Sequence, residues 1–273
     1  EIKRMWVSPN LRGRGVGAGW FPDDDIFITG DSAYGGKSIL SYLPPNVHLI
    51  SHVHPDGVLY EPAPPKQQGA KGPRRKKGKR LPKMKQWAED ANQPWTKLKF
   101  NQFGLHAVLA VKTVQALYYT AGGDRLLTIV LVRDREGKRP DQMFYCTQLN
   151  WTARQILSTY ACRWAIECTF ENCKQLLGLE DPANRVPKAV RRTAPVALII
   201  YSLVVVWFHQ TGHQSVRFPC RPWYRNKQEP SFADMLTTLR RGSYQEQTER
   251  PPSKRCPLKA VVAQLTEFLS RAG

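Results

Sequence analysis

The sequence is poor in acidic residues, with 22 Asp and Glu against 41 Lys and Arg, a formal charge of +19 and a pI near 9.9. An excess of this size favours a polyanionic partner, and nucleic acid is the first candidate. A ribosomal or membrane-surface protein would also be basic, so charge alone does not separate these classes. Apolar residues at 41% and aromatic residues at 10% exclude a disordered tail protein.

The sequence contains no C-x-x-C pair and no targeting pattern at its start. Three of its six cysteines fall on one predicted helix at spacings of six and five, which neither tetrahedral zinc nor a disulfide favours. We therefore predict reduced, buried thiols and a cytoplasmic, nucleoid-associated protein. The cysteines are Cys146, Cys162, Cys168, Cys173, Cys220 and Cys256.

A long hydrophobic run is missing as well. The 15-residue run from Ala194 to Phe208 is shorter than the roughly 20 residues that a membrane span needs. We predict a core helix there and no association with a membrane.

The pattern near the N-terminus is that of a βαβ unit. A short apolar strand, Ile26 to Thr29, ends just before Asp31, and a short helix over Lys37 to Leu43 separates it from a second strand over Val47 to Val53. Strands joined in this way should be parallel.

Residues 66–85 contain ten Lys or Arg and no acidic residue. Prolines and glycines within this segment, the basic arm, disfavour a stable helix, so we expect a flexible or extended conformation until a partner binds. A solubilising linker is the alternative, but nucleic acid is the more common partner of such a run. The candidate DNA-binding residues of the arm are Arg74, Arg75, Lys76 and Lys77.

The middle of the chain is predicted to be antiparallel β. Strand-like runs at His106–Val111, Leu126–Val132 and Met143–Thr147 are separated by glycines and by a polar segment that suit hairpin turns.

Helices should form the rest. Thr152 is a candidate N-cap for one helix that runs to about Leu177, with Gly178 as its C-cap. Beyond the apolar helix from Ala194, two further helices are predicted around Phe232–Arg240 and Leu258–Arg271.

The most informative helix positions are Tyr160, Arg163, Glu167 and Lys174. On one continuous helix they would share an arc of about 60°, because each residue turns the chain by about 100°. A stripe with a carboxylate, two cations and a phenol could hold a metal ion beside phosphates. A solvated helix face is the alternative.

Asp31 could supply a second carboxylate, since ligand and metal groups gather at the carboxyl ends of strands in open α/β sheets. A strand-end Asp and a helix Glu could together bind Mg²⁺, a hard cation that prefers oxygen ligands and phosphates. The residues alone only permit this geometry for Asp31 and Glu167.

The four-residue stripe matches the Y-x2-R-x3-E-x6-K signature of bacterial insertion-sequence transposases of the DDE type. The segment GDSAYG at residues 30–35 resembles the region around the second Asp of that family. The similarity covers roughly residues 22–210 and includes the segments FENCKQLLGLEDPANR and RRTAP.

The resemblance implies an α/β fold class: an RNase-H-like catalytic core interrupted by a β-rich insertion and followed by C-terminal helices. It divides the chain into a partial core with the second Asp, the arm with the insertion, the Glu helix with the core helix, and a C-terminal helical region. The corresponding ranges are 1–57, 58–150, 151–212 and 213–273.

The resemblance also implies an activity. Asp31 and Glu167 would be the second and third metal-binding carboxylates for Mg²⁺ or Mn²⁺, and Tyr160, Arg163 and Lys174 would contact transposon-end DNA. The family reaction is nicking of double-stranded DNA at the transposon end, followed by attack of the freed 3′-OH on target DNA. Such transposases generally act as homodimers.

One feature departs from the family. The first Asp should lie on a strand well upstream, yet the aspartates before Asp31 are Asp23, Asp24 and Asp25, directly ahead of the Asp31 strand. We therefore expect an N-terminally truncated copy that lacks the first core strands and does not cleave DNA alone.

Several residues have plainer interpretations. Glu167 could be a surface glutamate, with Glu171 as a competitor on the same face, and Tyr160 could be an aromatic at the edge of the core. Strand-face histidines are favoured over a metal site, and tryptophan packing is favoured over base stacking. These histidines are His48, His52 and His54, and the tryptophans are Trp87, Trp95 and Trp151.

Two other functions compete with a transposase. One is a non-catalytic DNA-binding remnant that binds transposon ends or inhibits a full-length enzyme. The other is a basic RNA- or ribosome-associated protein, which would have no need of the Asp31 and Glu167 pair.

Overall fold

The computed structural model describes residues 3–4, 22–66, 71–102, 105–181, 186–218 and 226–249. The chain forms two compact units that divide between Ala165 and Ile166. The first unit is a mixed α/β structure built on one sheet. The second unit is helical in its described residues.

Among the described residues of the first unit, seven strands form one sheet. They are β1 (Lys3–Arg4), β2 (Ile26–Thr29), β3 (Val47–His52), β4 (Thr96–Gln102), β5 (Leu105–Leu117), β6 (Leu126–Asp134) and β7 (Gln142–Cys146). Their order across the sheet is β1-β2-β3-β7-β6-β5-β4. Together with the helices, this mixed α/β architecture is consistent with an RNase-H-like core.

The predicted βαβ unit is confirmed. β2 and β3 are parallel neighbours, with Thr29 opposite Ile50, and the short helix α1 (Lys37–Leu40) lies between them in sequence. The carboxyl ends of both strands therefore lie at the same edge of the sheet.

The middle block is antiparallel, as predicted, but it does not form a separate sheet. β7 pairs with β3, and β6, β5 and β4 follow in antiparallel order. The strand β4 and the helix α2 (Met84–Glu89) were not predicted, because the alternation of β4 is weak and α2 follows directly on the basic arm.

The sheet has an apolar core on each face, as the alternation of its strands requires. Leu127, Ile129 and Leu131 of β6 face one core, together with the helix α3 (Tyr119–Gly122) and the buried Trp87. The other core lies on the opposite face, where the helix α4 (Ala153–Ala161) covers the sheet. It contains Val130 of β6, Phe144 of β7 and Ile156 of α4.

The prediction of one continuous helix from Thr152 to Leu177 is wrong. α4 ends at Ala161, and α5 (Trp164–Leu177) begins after a turn at Cys162 and Arg163. Backbone bonds there span three residues, as in Arg163 N–H to the Tyr160 carbonyl, 2.9 Å. The angular argument that placed Tyr160 and Arg163 on one stripe with Glu167 therefore does not hold.

Both predicted caps are confirmed. Thr152 forms a capping box with Gln155, whose side chain accepts from the Thr152 N–H at 2.9 Å. Gly178 ends α5 with a φ of 66°, a conformation that favours glycine.

The second unit contains α6 (Pro187–Gln210) and α7 (Phe232–Glu249). Val204 of α6 packs on Phe232 and Leu236 of α7, with Leu177 and Tyr201 at the edge of this small core. α7 confirms and extends the helix predicted around Phe232–Arg240. The helix predicted at 258–271 lies outside the described residues, as do Cys220 and Cys256.

The prediction that α6 is a core helix is wrong for most of its length. Its buried side chains are Ala197, Val204 and Phe208, whereas a row of large apolar side chains is 40 to 63% exposed. That row is Val196, Ile199, Ile200, Leu203 and Val206. By length and composition alone, this 24-residue helix could also cross a membrane, but the core helices of soluble proteins can have the same length and composition.

Candidate functional site

Asp31 lies at the sheet edge where the two parallel strands end. Its carboxylate accepts a hydrogen bond from the Ala33 N–H at 2.9 Å and caps the 3₁₀ helix Ser32–Tyr34. The side chain remains exposed. The position of Asp31 at the carboxyl end of a strand agrees with the sequence-based prediction.

His52 lies at the carboxyl end of β3, on the neighbouring strand. Its ring packs against Phe144 at 4.3 Å between centroids and meets the edge of the Tyr160 ring at 4.9 Å and 86°. Tyr160 also contacts Phe144 at 4.8 Å. Tyr160 is therefore an aromatic at the edge of the core, which was one of its two predicted roles.

Arg163 completes this group in the first unit. Its guanidinium lies 5.9 Å from the centre of the Tyr160 ring. Burial lowers the pKa of His52 below its usual 6.5, and the positive charge of Arg163 lowers it further, while the negative charge of Asp31 opposes both. The structure thus brings four side chains together: Asp31, His52, Tyr160 and Arg163.

Glu167 and Lys174 belong to the second unit. Glu167 is half-buried in the first turn of α5, and Lys174 is in the last turn, where it forms an ion pair with Glu180. Cys173, between them, is buried, and its thiol approaches the Ala197 carbonyl of α6 at 3.8 Å. Two large apolar side chains of the same helix, Phe170 and Leu176, are exposed.

From residue 71 to residue 83 the basic arm contains no helix, its last two residues begin α2, and the segment before α2 is fixed to the first unit. Backbone bonds join Gly78 to Glu61 at 2.9 Å and Leu81 to Leu59 at 2.9 Å. The Lys77 ammonium lies 4.0 Å above the centre of the Tyr60 ring. Arg74, Arg75 and Lys76 are exposed.

The chain matches a family model described as a transposase DDE domain over residues 18–203, which is more than half of its 273 residues. The chain belongs to the DDE transposase family. Membership supports a role in DNA transposition; transposases of this family act on DNA and generally depend on a divalent metal. Among curated proteins, none matches the chain significantly.

The described residues of this transposase domain include donors of the type that a metal ion needs, but too few of them lie together. Within the described ranges, no group of three or more His, Cys, Asp and Glu side chains could hold a metal ion. Asp31 and Glu167 nevertheless offer the hard oxygen donors that Mg²⁺ prefers, and this cation commonly keeps waters and phosphates as further ligands.

The histidines of β3 and two tryptophans of the transposase domain lie in the fold as follows. His48 and His52 share a face of β3, whereas His54 lies beyond the strand. In the described part of the chain, these histidines are not part of a group that could hold a metal ion. Trp87 is buried and Trp151 stacks on Phe27 at 3.8 Å, so packing accounts for both.

The described cysteines of the transposase domain are free thiols. Cys146 and Cys173 are buried, whereas Cys162 and Cys168 are half-buried. Burial raises the pKa of Cys146 to about 12, which keeps this thiol protonated and unreactive.

Sequence reasoning missed two residues beside Asp31. Ser51 and Tyr145 are fully buried and place their hydroxyl groups under the Asp31 turn. The one available signal was a serine within the apolar run of β3, because a buried hydroxyl there needs a hydrogen-bond partner.

Proposed function

We propose that the chain binds double-stranded transposon-end DNA and takes part in metal-dependent strand nicking and strand transfer. The observation that carries the proposal is the exposed Asp31 carboxylate, which follows the carboxyl end of β2 in a DDE transposase domain. Asp31 and Glu167 would be the second and third metal-binding carboxylates. When bound, the metal supplies a Lewis acid that activates the attacking oxygen and stabilises the leaving one.

The cations would hold the DNA. Arg163 and Lys174 carry charges suited to phosphate oxygens, and release of Glu180 by Lys174 would free its ammonium group for such a contact. Tyr160 would contact the DNA through its phenol, because its ring packs on His52 and Phe144. On the arm, Arg74, Arg75, Lys76 and Lys77 would add phosphate contacts.

The first carboxylate is not supplied by the aspartates that precede β2. Asp25 stands immediately before β2 and contacts His48 at 3.4 Å, whereas Asp31 follows the other end of the strand. Four extended residues separate the two ends by about 13 Å, too far for shared coordination. We therefore propose that this chain alone does not nick DNA.

The second candidate function is a non-catalytic DNA-binding remnant that binds transposon ends or inhibits a full-length enzyme. The placement of Asp25 and Asp31 at opposite ends of β2 favours this second function. In either case we propose a cytoplasmic protein on the nucleoid that has no membrane partner and acts as a homodimer on paired ends.

Binding and nicking can be separated in one assay. The chain is titrated against labelled DNA from the ends of its own element and against a scrambled sequence, with Mg²⁺ or Mn²⁺ present, and nicks are counted on a supercoiled plasmid that carries the ends. The proposal predicts preferential end binding without nicking. Equal binding to scrambled DNA would contradict transposon-end recognition.

Nicking by the wild-type chain would contradict the incompetence that we propose. In that case Asp31→Asn and Glu167→Gln should both abolish it, and the matched control Glu171→Gln, an exposed glutamate on the same helix, should not. Retained nicking in Glu167→Gln would remove the role assigned to Glu167.

A further inference from the structure

Two buried hydroxyl groups lie directly under the turn that carries Asp31. Ser51 of β3 and Tyr145 of β7 are both 0% exposed and stand opposite each other in the register of the two antiparallel strands. Because opposite residues point to the same face of a sheet, both side chains reach the same point at its edge. The two residues are 94 positions apart in sequence, so only the pairing of β3 with β7 brings them together.

The hydroxyl groups bond to the two ends of the turn. Ser51 Oγ donates to the Asp31 carbonyl at 2.7 Å, and the Tyr145 hydroxyl donates to the Gly35 carbonyl at 2.7 Å. The backbone on both sides of the 3₁₀ helix is thereby held to the sheet. Burial raises the pKa of the Tyr145 phenol well above its ordinary value of 10.0, so this donor stays protonated.

The close approach of the turn explains the glycine at position 35. A Cβ atom there would lie 2.5 Å from Ser51 Oγ and 2.9 Å from the Tyr145 hydroxyl oxygen, both shorter than real contacts. The neighbouring Gly36 has nothing within 4 Å of the same position. Only the first glycine is therefore required by packing against the hydroxyl pair.

We propose that Ser51 and Tyr145 are positioning residues that fix the Asp31 carboxylate at the sheet edge for a divalent cation. The inference rests on the proposed role of Asp31 as a metal ligand. A carboxylate on a turn that is hydrogen-bonded at both ends keeps its geometry. Loss of the Tyr145 bond removes a donor from the carbonyl of the buried Gly35, and loss of the Ser51 bond leaves the Asp31 carbonyl with the Tyr34 N–H at 3.1 Å, so in either case one end of the turn is released from the sheet. The hydroxyl pair thus acts on the metal through Asp31.

Iron-directed cutting of the chain tests this role without any need for catalysis. Fe²⁺ takes the place of Mg²⁺, and with ascorbate and hydrogen peroxide it produces radicals that cut the backbone near the bound ion. Cut positions and yields are read by mass spectrometry, and circular dichroism establishes that each variant is folded. The variants are Ser51→Ala, Tyr145→Phe and Gly35→Ala; the controls are Asp31→Asn, Tyr118→Phe and Gly36→Ala.

The wild type should be cut within a few residues of Asp31, and Asp31→Asn should lose that cut. Each of the three variants should lower its yield about tenfold, in the range typical of residues that orient a metal ligand. Tyr118, a neighbouring buried tyrosine, and Gly36 should tolerate their substitutions with full cutting.

Full cutting in Ser51→Ala and Tyr145→Phe would overturn the positioning role while leaving Asp31 as a metal ligand. An equal loss in the Tyr118→Phe and Gly36→Ala controls would also overturn it, because the effect would then be a general loosening of the core. Absence of a cut near Asp31 in the wild type would overturn the metal role of Asp31 and the inference with it.

Discussion

His52 is the residue whose protonation is most closely tied to the candidate site. Its ring contacts both Phe144 and Tyr160, and its pKa is lowered chiefly by burial and further by the charge of Arg163. A histidine held neutral avoids a second cation beside Arg163 in a confined space. The same ring fixes Tyr160 in the orientation from which it would meet DNA.

The first prediction concerns pH. The unfolded state takes up a proton at His52 near pH 6.5, before the folded state does, so the stabilisation is complete above that pH and is lost as pH falls through the lowered folded pKa. The unfolding free energy should therefore fall more from about pH 7.5 to about pH 5 in the wild type than in His52→Phe. Urea titrations at both pH values measure this difference; identical pH dependence would contradict the prediction.

Lys112 is a buried cation with a structural task. It is 4% exposed, and its ammonium donates to the carbonyls of Trp87 at 2.8 Å and Asp90 at 2.7 Å, at the end of α2. The same group lies 4.9 Å above the ring of Trp95. A cation at a helix C-terminus satisfies carbonyls that have no partner within the helix.

The second prediction is that Lys112→Met lowers the unfolding free energy by about 2–3 kcal/mol, because the buried Trp87 carbonyl and the partly buried Asp90 carbonyl lose a charged donor. The matched control is Lys97→Met on β4, where the lysine is exposed and the change should be within about 0.5 kcal/mol. Urea unfolding followed by tryptophan fluorescence compares the two. A loss no larger in Lys112→Met than in the control would contradict the assigned role.

At the scale of elements, the sequence predicted well the features that depend on nearby residues and poorly those that depend on tertiary contacts. The cap at Thr152 and the end at Gly178 depend on side chains and backbone within a few residues, and both were predicted. The turn at Cys162 and Arg163 has no Gly or Pro to announce it, so a continuous helix was expected there. Likewise, the composition of α6 predicted a helix but not which of its sides would be exposed.

The third prediction concerns the start of α4. Thr152→Ala removes the acceptor for the Gln155 N–H, 3.3 Å away, and half of the capping box. The expected loss is about 1 kcal/mol of unfolding free energy, whereas Thr152→Asn, which keeps an acceptor, should change it by only a few tenths. Thermal and urea unfolding of the two variants give the comparison, and equal losses would exclude a capping contribution.

For the whole molecule, the charge of +19 is unevenly distributed in a way that bears on DNA binding. The arm places Arg74, Arg75 and Lys76 in solvent, while Lys77 is engaged with Tyr60 and Tyr119 at 4.0 and 5.0 Å. The composition predicted this cationic segment. The anchoring of Lys77 was not predictable, since the tyrosines come from distant parts of the chain.

The fourth prediction is a change in salt dependence. Neutralising Arg74, Arg75 and Lys76 to Gln should reduce the slope of log K against log salt by about 2–3, since each phosphate contact contributes about 0.9. A control variant neutralises three cations of the exposed loop between β6 and β7, namely Arg135, Lys138 and Arg139. Fluorescence anisotropy over a salt series measures both. An unchanged slope in the arm variant, or an equal change in the control, would make the arm a linker.

The fold class of the whole molecule was predicted, but the pairing between its two groups of strands was not. A parallel unit followed by antiparallel strands was expected, whereas the joining of β7 to β3 into one sheet was not, because strand pairing over long separations leaves no local mark in sequence. The same limit applies to Asp31 and Glu167, two carboxylates 136 residues apart. Their assignment came from family resemblance rather than from spacing.

Iron-directed cutting in the presence of transposon-end DNA tests the pairing of these carboxylates most directly. If Asp31 and Glu167 bind one ion together, the wild-type chain is cut near both residues, and each of Asp31→Asn and Glu167→Gln abolishes both cuts. The control Glu171→Gln leaves both in place. Cuts that respond only to the nearer carboxylate, or no cut at either position, would contradict a shared metal site and the catalytic role proposed for the pair.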